Sequence, residues 1–373
     1  MPKEGENPYA CASDILKMWQ DKGILKIEDK PAIYIYEEEF SVGNTRKSIK
    51  GIIARVQLEE FSKGIILPHE FTLSKAKEDR LNLMKATNCN FSQIYALYMD
   101  EKHTTLATID EQSKAKADLE FTDETGVTHR LWIETDEEII AKLVADFADR
   151  KLYIADGHHR YETALNYRNY CRENGISKPG DPQDFQMIYL VDMEHPGLVV
   201  FPTHRLVRDL PNFDKEAVLE KCSEFFYIDE KEGTDTMEED LKKLYDEGKK
   251  AFGFYCGKGE WFLLTLKNID IMSQMLPNVS KASQSLDVSV LHTLILEKIF
   301  GIDKENMAKQ INLTYTKFFT EAIDGVDKGE FQCSFVLNPT RVTEIRDVAA
   351  AGEKMPQKST YFYPKMITGM VMN

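Results

Sequence analysis

The chain has 373 residues, 42% of them hydrophobic and 29% charged, with a formal net charge of -15. That length supports a large core and more than one lobe. The acidic balance argues against general nucleic-acid or membrane-surface binding, since both need clustered Lys and Arg.

No apolar run approaches the roughly 20 residues that span a bilayer. The N-terminus, Met1 to Asn7, is polar and has no signal-like apolar region. The cysteines Cys11, Cys89, Cys171, Cys222, Cys256 and Cys333 stand far apart and form no CxxC pair. A disulfide framework or structural zinc is therefore not expected, and reduced thiols in a cytoplasmic protein fit better.

Ala10, Ile15, Leu16, Trp19 and Leu25 predict a first helix that closes at Gly23. Ala32–Tyr36 and Ser48–Val56 are rich in β-branched and aromatic residues and predict a hairpin through Gly43-Asn44. Lys75 to Ala86 reads as a helix. Ile94–Met99, Thr104–Ile109 and Thr128–Ile133 read as strands, the last after an Asp123–Gly126 turn. An amphipathic helix is expected over Asp136–Arg150, a buried strand over Leu152–Ala155, and a helix from His158 to about Asn174. Gln186–Asp192 and Val199–Leu206 predict strands; Phe213–Phe226 and Thr234–Glu247 predict helices. A second hairpin through Gly257–Gly259 joins Ala251–Cys256 to Trp261–Leu266. The last third reads as helix Val288–Phe300, strand Phe331–Leu337, helix Arg341–Ala351 and a loop-and-strand tail. Without a steady βαβ rhythm, the pattern favours α+β with mixed sheets and flanking helices. The expected domains are 1–205, an α+β core, and 206–373, an α+β lobe whose tail can return to the core's cleft.

The strand Leu152–Ala155 runs directly into Asp156-Gly157-His158-His159-Arg160. A strand that turns at once into a helix directs backbone N–H groups and the positive end of the helix dipole at one point, which suits an anion. Gly157 allows the tight turn, and Arg160 offers a planar, bidentate donor. His158 and His159 can donate hydrogen bonds, relay a proton or bind metal. Asp156 can cap the helix, hold a histidine tautomer or bind magnesium. A zinc site on adjacent histidines is disfavoured, since no HExxH-type spacing accompanies them.

Ala155–Leu165 resembles the hallmark of the family called domain of unknown function 1015. Leu67–Thr72, Asp79–Leu81, Phe201–Val207, Asp287–His292 and Met355–Lys365 are similar to further motifs of that family, so the resemblance covers nearly the whole chain. Members usually carry a further N-terminal segment with Ala-Pro-Pro-Tyr-Asp-Val, and this chain looks truncated relative to them. The strand, turn and helix also resemble the nucleotide-handling box of the ParB/sulfiredoxin superfamily, which includes free-serine kinases. In that box a Gly-x-x-Arg turn holds nucleotide phosphates. The resemblance implies a ParB/sulfiredoxin-like core, ATP or ADP with Mg2+ as cofactor, and phosphate contacts from Gly157, His158, His159 and Arg160.

Other candidates lie outside the turn. Glu70 can act as general base with His69 beside it, or both can belong to a surface loop. Lys75, Lys77 and Arg80 can supplement phosphate or substrate binding, or form a solvated helix face. Lys358, Ser359 and Thr360, with Lys365 nearby, suit phosphate contacts; a packed tail is the alternative. His204 and Arg205 are candidate substrate contacts, and His292 reads as a core histidine. No GxGxxG or GxxxxGK[ST] is present, which removes the usual dinucleotide and P-loop readings.

Three readings follow. The leading one is a phosphotransferase, a kinase of a small polar metabolite such as serine. In it Asp156, His158, His159 and Glu70 are catalytic, and Asp156 holds magnesium. The second is a non-catalytic nucleotide- or metabolite-binding regulator. The third is a metal-dependent hydrolase using the histidines with Asp156. The expected partner is a small anionic molecule, with no nucleic acid and no membrane; a homo-oligomer is a further possibility.

Overall fold

The computed structural model describes residues 5–70, 72, 74–233 and 236–373, those at 74–76 by their backbone alone. Met1 to Glu4, Phe71, the Lys75 side chain and the expected helix start at Thr234 lie outside the described residues. The architecture is α+β, in two compact units: Met1–Val199 with Pro364–Asn373, and Val200–Tyr363. The expected boundary at 205/206 falls six residues later than this one, and the last ten residues belong to the first unit.

In chain order the first unit contains α1 (Pro8–Asp21), β1 (Ile33–Val42), β2 (Thr45–Gln57), β3 (Ile66–Leu67), α2 (Ser74–Thr87), β4 (Ile94–Tyr98), α3 (Thr104–Gln112), β5 (Leu119–Thr122), β6 (Thr128–Glu134), α4 (Glu137–Asp146), β7 (Leu152–Asp156), α5 (His158–Glu173) and β8 (Phe185–Asp192). Its strands form one sheet in the order β3-β7-β4-β8-β2-β1-β6-β5. β3 pairs with β7, and β4 with β8, in parallel; the remaining pairs are antiparallel. The β1–β2 register closes at Val42 opposite Thr45, so Gly43-Asn44 is a two-residue hairpin turn.

One sheet face is aliphatic. Ile52, Ile94, Ala96, Ile154, Ile188 and Leu190 pack against Leu143 of α4 and Tyr161 and Leu165 of α5. Each large side chain buried there contributes about 1.5–3 kcal/mol. Polar bonds then fix α5 along its length. The Tyr161 hydroxyl accepts from Glu59 N at 2.9 Å and donates to Glu59 O at 2.8 Å, while Arg168 Nη1 donates to Leu58 O at 2.9 Å.

Thr104–Ile109, read as a strand, is instead the helix α3. The Asp100 carboxylate accepts the Thr105 N–H at 2.8 Å, which starts the helix. Thr105, Thr108 and Ile109, at i, i+3 and i+4, then bury one helical face. Capping and burial outweigh the β-preference of the threonines.

The second unit continues with β9 (Val199–Phe201), β10 (His204–Val207), α6 (Lys215–Cys222), β11 (Phe226–Glu232), α7 (Met237–Asp246), β12 (Ala251–Tyr255), β13 (Glu260–Leu266), α8 (Ile271–Met275), α9 (Lys281–Gln284), α10 (Asp287–Val290) with a π-helical extension Leu291–Glu297, α11 (Lys304–Lys309), β14 (Leu313–Thr316), α12 (Phe319–Asp327), β15 (Cys333–Val336), α13 (Val342–Ala350) and β16 (Tyr361–Tyr363). β11-β13-β12-β15-β10-β14 form a six-stranded sheet, and β16 pairs with β9. The single strand expected over Val199–Leu206 is two strands, broken at Pro202-Thr203, because proline cannot donate to a ladder. The residues after β16 bond to the segment before β4. Asn90 N donates to Asn373 O at 2.5 Å, the Ser92 and Thr368 hydroxyls lie 2.9 Å apart, and Gln93 Nε2 donates to Ile367 O at 3.1 Å.

Candidate anion-binding site

β7 carries one extra residue where it meets β4. Ala96 pairs with Ile154 but Tyr95 pairs with Asp156, so Ala155 bulges and the strand's last side chain is re-aimed. Gly157 follows at φ 96 and ψ 25, a left-handed conformation that side chains rarely adopt, and α5 begins at once. The helix has no side-chain N-cap. Asp156 therefore does not act as the expected cap, and the 16-residue helix presents its dipole at the turn.

Arg160 folds back over the glycine. A Cβ at Gly157 would lie 2.9 Å from both Nε and Nη2 of Arg160. Arg160 Nη1 donates to Gln93 O at 2.7 Å, and Nη2 donates to Asp156 Oδ2 at 2.8 Å. The other Asp156 oxygen, Oδ1, accepts from Lys365 Nζ at 2.6 Å. Burial pushes the Asp156 carboxyl up, but Lys365 and then Arg160 outweigh it and hold it below the usual range. Asp156 thus sits ionised between two cations.

His69 and His158 form the wall beside this pair. The His69 ring is fully buried, with Nδ1 2.7 Å from Ile154 O. Its backbone N–H donates to His158 Nε2 at 3.1 Å, and the rings meet edge to face at 4.6 Å. Burial pushes the His69 imidazole down to about 4, so it is neutral. His158 Nδ1 lies 4.0 Å from Glu70 Oε2. His159 is half-buried, and its carbonyl accepts from the Thr163 hydroxyl at 2.7 Å. Thr72 and Lys77 both donate to Glu162 of α5, Lys77 at 2.7 Å, which ties the start of α2 to the same helix.

The structure thus brings together Asp156, Gly157, His158, Arg160, His69 and Glu70 in the first unit. His69, expected as a substrate contact, has its ring enclosed against the Ile154 carbonyl, while its backbone N–H donates to His158. Lys365 is the residue whose partner sequence reasoning missed. Its signal was the final Met355–Lys365 motif, but nothing local tells that a lysine 209 residues away bonds Asp156.

Lys358, Ser359, Thr360, His204 and Arg205 lie in the second unit. Arg205 is fully buried; it donates to Thr203 O, to His292 Nε2 at 3.3 Å and to Lys358 O at 3.2 Å. His204 is buried as well, accepts from Leu337 N at 3.4 Å, and is pushed down to about 3 by burial and the neighbouring Arg205. Ser359 is buried and donates to Pro356 O, while Lys358 is exposed and Thr360 half-buried. His204 and Arg205, expected as substrate contacts, are enclosed and bonded within their own unit. His292 is a satisfied core histidine, accepting from Arg205.

A magnesium ion on Asp156 does not fit these residues. Both carboxylate oxygens already face cations, and a hard cation would have to displace Lys365 or Arg160. Among the described residues, no group of three His, Cys, Asp or Glu could hold a metal ion. Among them too, no helix is long and apolar enough to cross a membrane.

Solved structures to which the chain is similar include a conserved hypothetical protein from Pyrococcus furiosus. It is 16% identical, over 85% of this chain and 94% of that one, with a TM-score of 0.39. A mutant free serine kinase in complex with ADP is 13% identical over 83% of this chain and 87% of that one, with a TM-score of 0.41. A C-terminally truncated SbnI from Staphylococcus aureus is 10% identical over 85% of each chain, with a TM-score of 0.38. No curated protein matches the sequence. The model of the family described as Protein of unknown function (DUF1015) matches residues 1–289, and the chain belongs to that family.

Proposed function

We propose that the protein binds a nucleotide phosphate at the Gly157 turn and transfers a phosphoryl group to a small hydroxyl-bearing metabolite. The observation that supports this most is the pair of cations, Arg160 and Lys365, that share Asp156 at the N-terminus of α5. A phosphate brought to that helix end meets backbone N–H donors, the helix dipole and two side-chain cations. Asp156 is their counter-ion before the ligand arrives.

Glu70 is the candidate base. Its carboxylate faces His158 Nδ1, whose proton is fixed there because Nε2 accepts from His69 N. In the proposed step Glu70 takes the proton of the acceptor hydroxyl. The acceptor oxygen forms a bond to phosphorus, and the bond between phosphorus and the nucleotide oxygen breaks, leaving its electron pair on the nucleotide. Arg160 and Lys365 balance the charge on the transferred group. No step is routed through a metal.

Calorimetry with ADP and ATP, followed by phosphoryl-transfer assays on L-serine and related alcohols, tests the reading. Glu70→Gln is expected to cut turnover by about 10²–10⁴ while keeping nucleotide affinity. Arg160→Gln is expected to lose binding. Nucleotide binding without turnover on any acceptor would favour a regulatory binding protein; binding of neither nucleotide would overturn the reading.

A further inference from the structure

A separate cavity of about 60 Å³ opens on the α2 side of Arg160. Arg80 of α2, Arg160 and Thr163 of α5, Asn90 and Ser92 before β4, and Gln186 of β8 contribute its polar lining. A water needs roughly 10–15 Å³ measured in this way, so the space takes a group of a few heavy atoms. A carboxylate or phosphate group fits.

The charges around it do not balance. Arg80 is exposed and has no carboxylate within ion-pair distance among the described residues. Arg160 shares its one carboxylate, Asp156, with Lys365. The residues that line the cavity thus include two cations, Arg80 and Arg160, and no carboxylate, in a chain whose net charge is -15. Burial lowers the proton affinity of Arg160, Asp156 opposes this, and Arg80 lowers it further, as expected when two guanidinium groups face one space. Such repulsion is relieved by an anion between them. The hydroxyl of Ser92 and the side-chain amide of Asn90 supply neutral partners for its remaining oxygens.

We propose that this cavity is a second anion subsite, which holds the carboxylate or phosphate group of the acceptor. Its chemistry stands on the cavity and its arginines; the word acceptor rests on the phosphotransfer reading above. The subsite would select acceptors that carry an anionic group beside the reacting hydroxyl over neutral alcohols.

The test uses the full chain and Arg80→Gln, a change at an exposed side chain. Binding of inorganic phosphate and of L-serine is measured by calorimetry, each with and without saturating ADP. The wild type is expected to bind one of these small anions in addition to ADP, and Arg80→Gln to weaken it about tenfold with ADP affinity within twofold. Retention of phosphate alone or of L-serine alone identifies which anion the subsite takes. If ADP fails to bind while a small anion still binds through Arg80, the nucleotide reading fails and the subsite stands. The subsite is overturned if neither small anion binds the wild type, if Arg80→Gln leaves their affinity unchanged, or if it weakens ADP equally.

Discussion

The backbone N–H of His69 donates to Nε2 of His158 across 3.1 Å, and that bond determines which nitrogen of His158 carries the proton. With Nε2 accepting, the proton sits on Nδ1, the atom that faces Glu70 at 4.0 Å. The His69 ring is set in turn by the Ile154 carbonyl of β7. β7 thus fixes the His69 ring, and the His69 backbone sets the His158 tautomer that faces Glu70.

Removing the acceptor strands a buried donor. His158→Ala is expected to destabilise the fold by about 1–3 kcal/mol, the usual cost of an unsatisfied buried group. His158→Gln, whose amide oxygen can accept from His69, is expected to recover part of the loss. Urea unfolding of both variants checks this; an unchanged midpoint for His158→Ala would contradict the role given to the bond.

Two buried groups oppose each other in their pH dependence. His69 is held near 4 by burial, against about 6.5 when unfolded. Its stability contribution is fully present above pH 6.5 and is lost as pH falls towards 4, to the extent of about 3 kcal/mol. Glu38, 1% exposed, is pushed up to about 7 by burial, with Asp123 adding and the Tyr36 hydroxyl bond opposing. The unfolded carboxyl ionises near 4.3, so this group lowers stability as pH rises from about 4.3 to 7, again by about 3 kcal/mol. The slopes of these two groups oppose each other, and His204, pushed down to about 3, adds to that of His69. Glu38→Gln is expected to be more stable at pH 8, to lose that advantage near pH 4, and to expose the acid sensitivity of the buried histidines His69, His204 and His292. Urea unfolding from pH 4 to 8 measures it, and parallel wild-type and variant curves would count against it.

Gly157→Ala tests the turn itself. The new methyl would require a left-handed alanine and would lie 2.9 Å from the Arg160 guanidinium. A stability loss of about 1–3 kcal/mol is expected, with Arg160 displaced and ADP affinity down at least about tenfold. Normal affinity with normal stability would show that the turn does not organise the site.

Asp156→Asn separates counter-ion from catalyst. If Asp156 is mainly the counter-ion of Arg160 and Lys365, its neutral variant leaves more of their positive charge for an incoming anion, and inorganic phosphate should bind about tenfold tighter. Lys365→Met should have the opposite effect on phosphate. Weaker phosphate binding by Asp156→Asn would mean that the carboxylate is needed to position the cations.

Much of the site was legible in the sequence because it is local. An apolar strand, a glycine and a helix start within a few residues carry their own geometry, and Leu152–Asp156 and His158–Glu173 form where their patterns predict. Local pattern failed where burial and capping compete with propensity. Thr104–Ile109 reads as a strand by its threonines, yet Asp100 caps it and its i, i+3, i+4 face is buried as helix. Phe226, expected at the end of a helix, begins β11 because its strand has a partner in β13.

By itself, the sequence determined the turn chemistry: a left-handed glycine, an arginine three residues on, and an acidic residue before them. Only the tertiary structure decided what those charges meet. Lys365 reaches Asp156, Gln93 receives Arg160, and His69 lends a backbone proton to His158, contacts between residues 67 to 209 positions apart. Hydrogen bonds and ion pairs depend on distance in space, and sheet pairing with tail docking sets those distances. The same packing enclosed His204 and Arg205, which the linear pattern could not distinguish from exposed ligands.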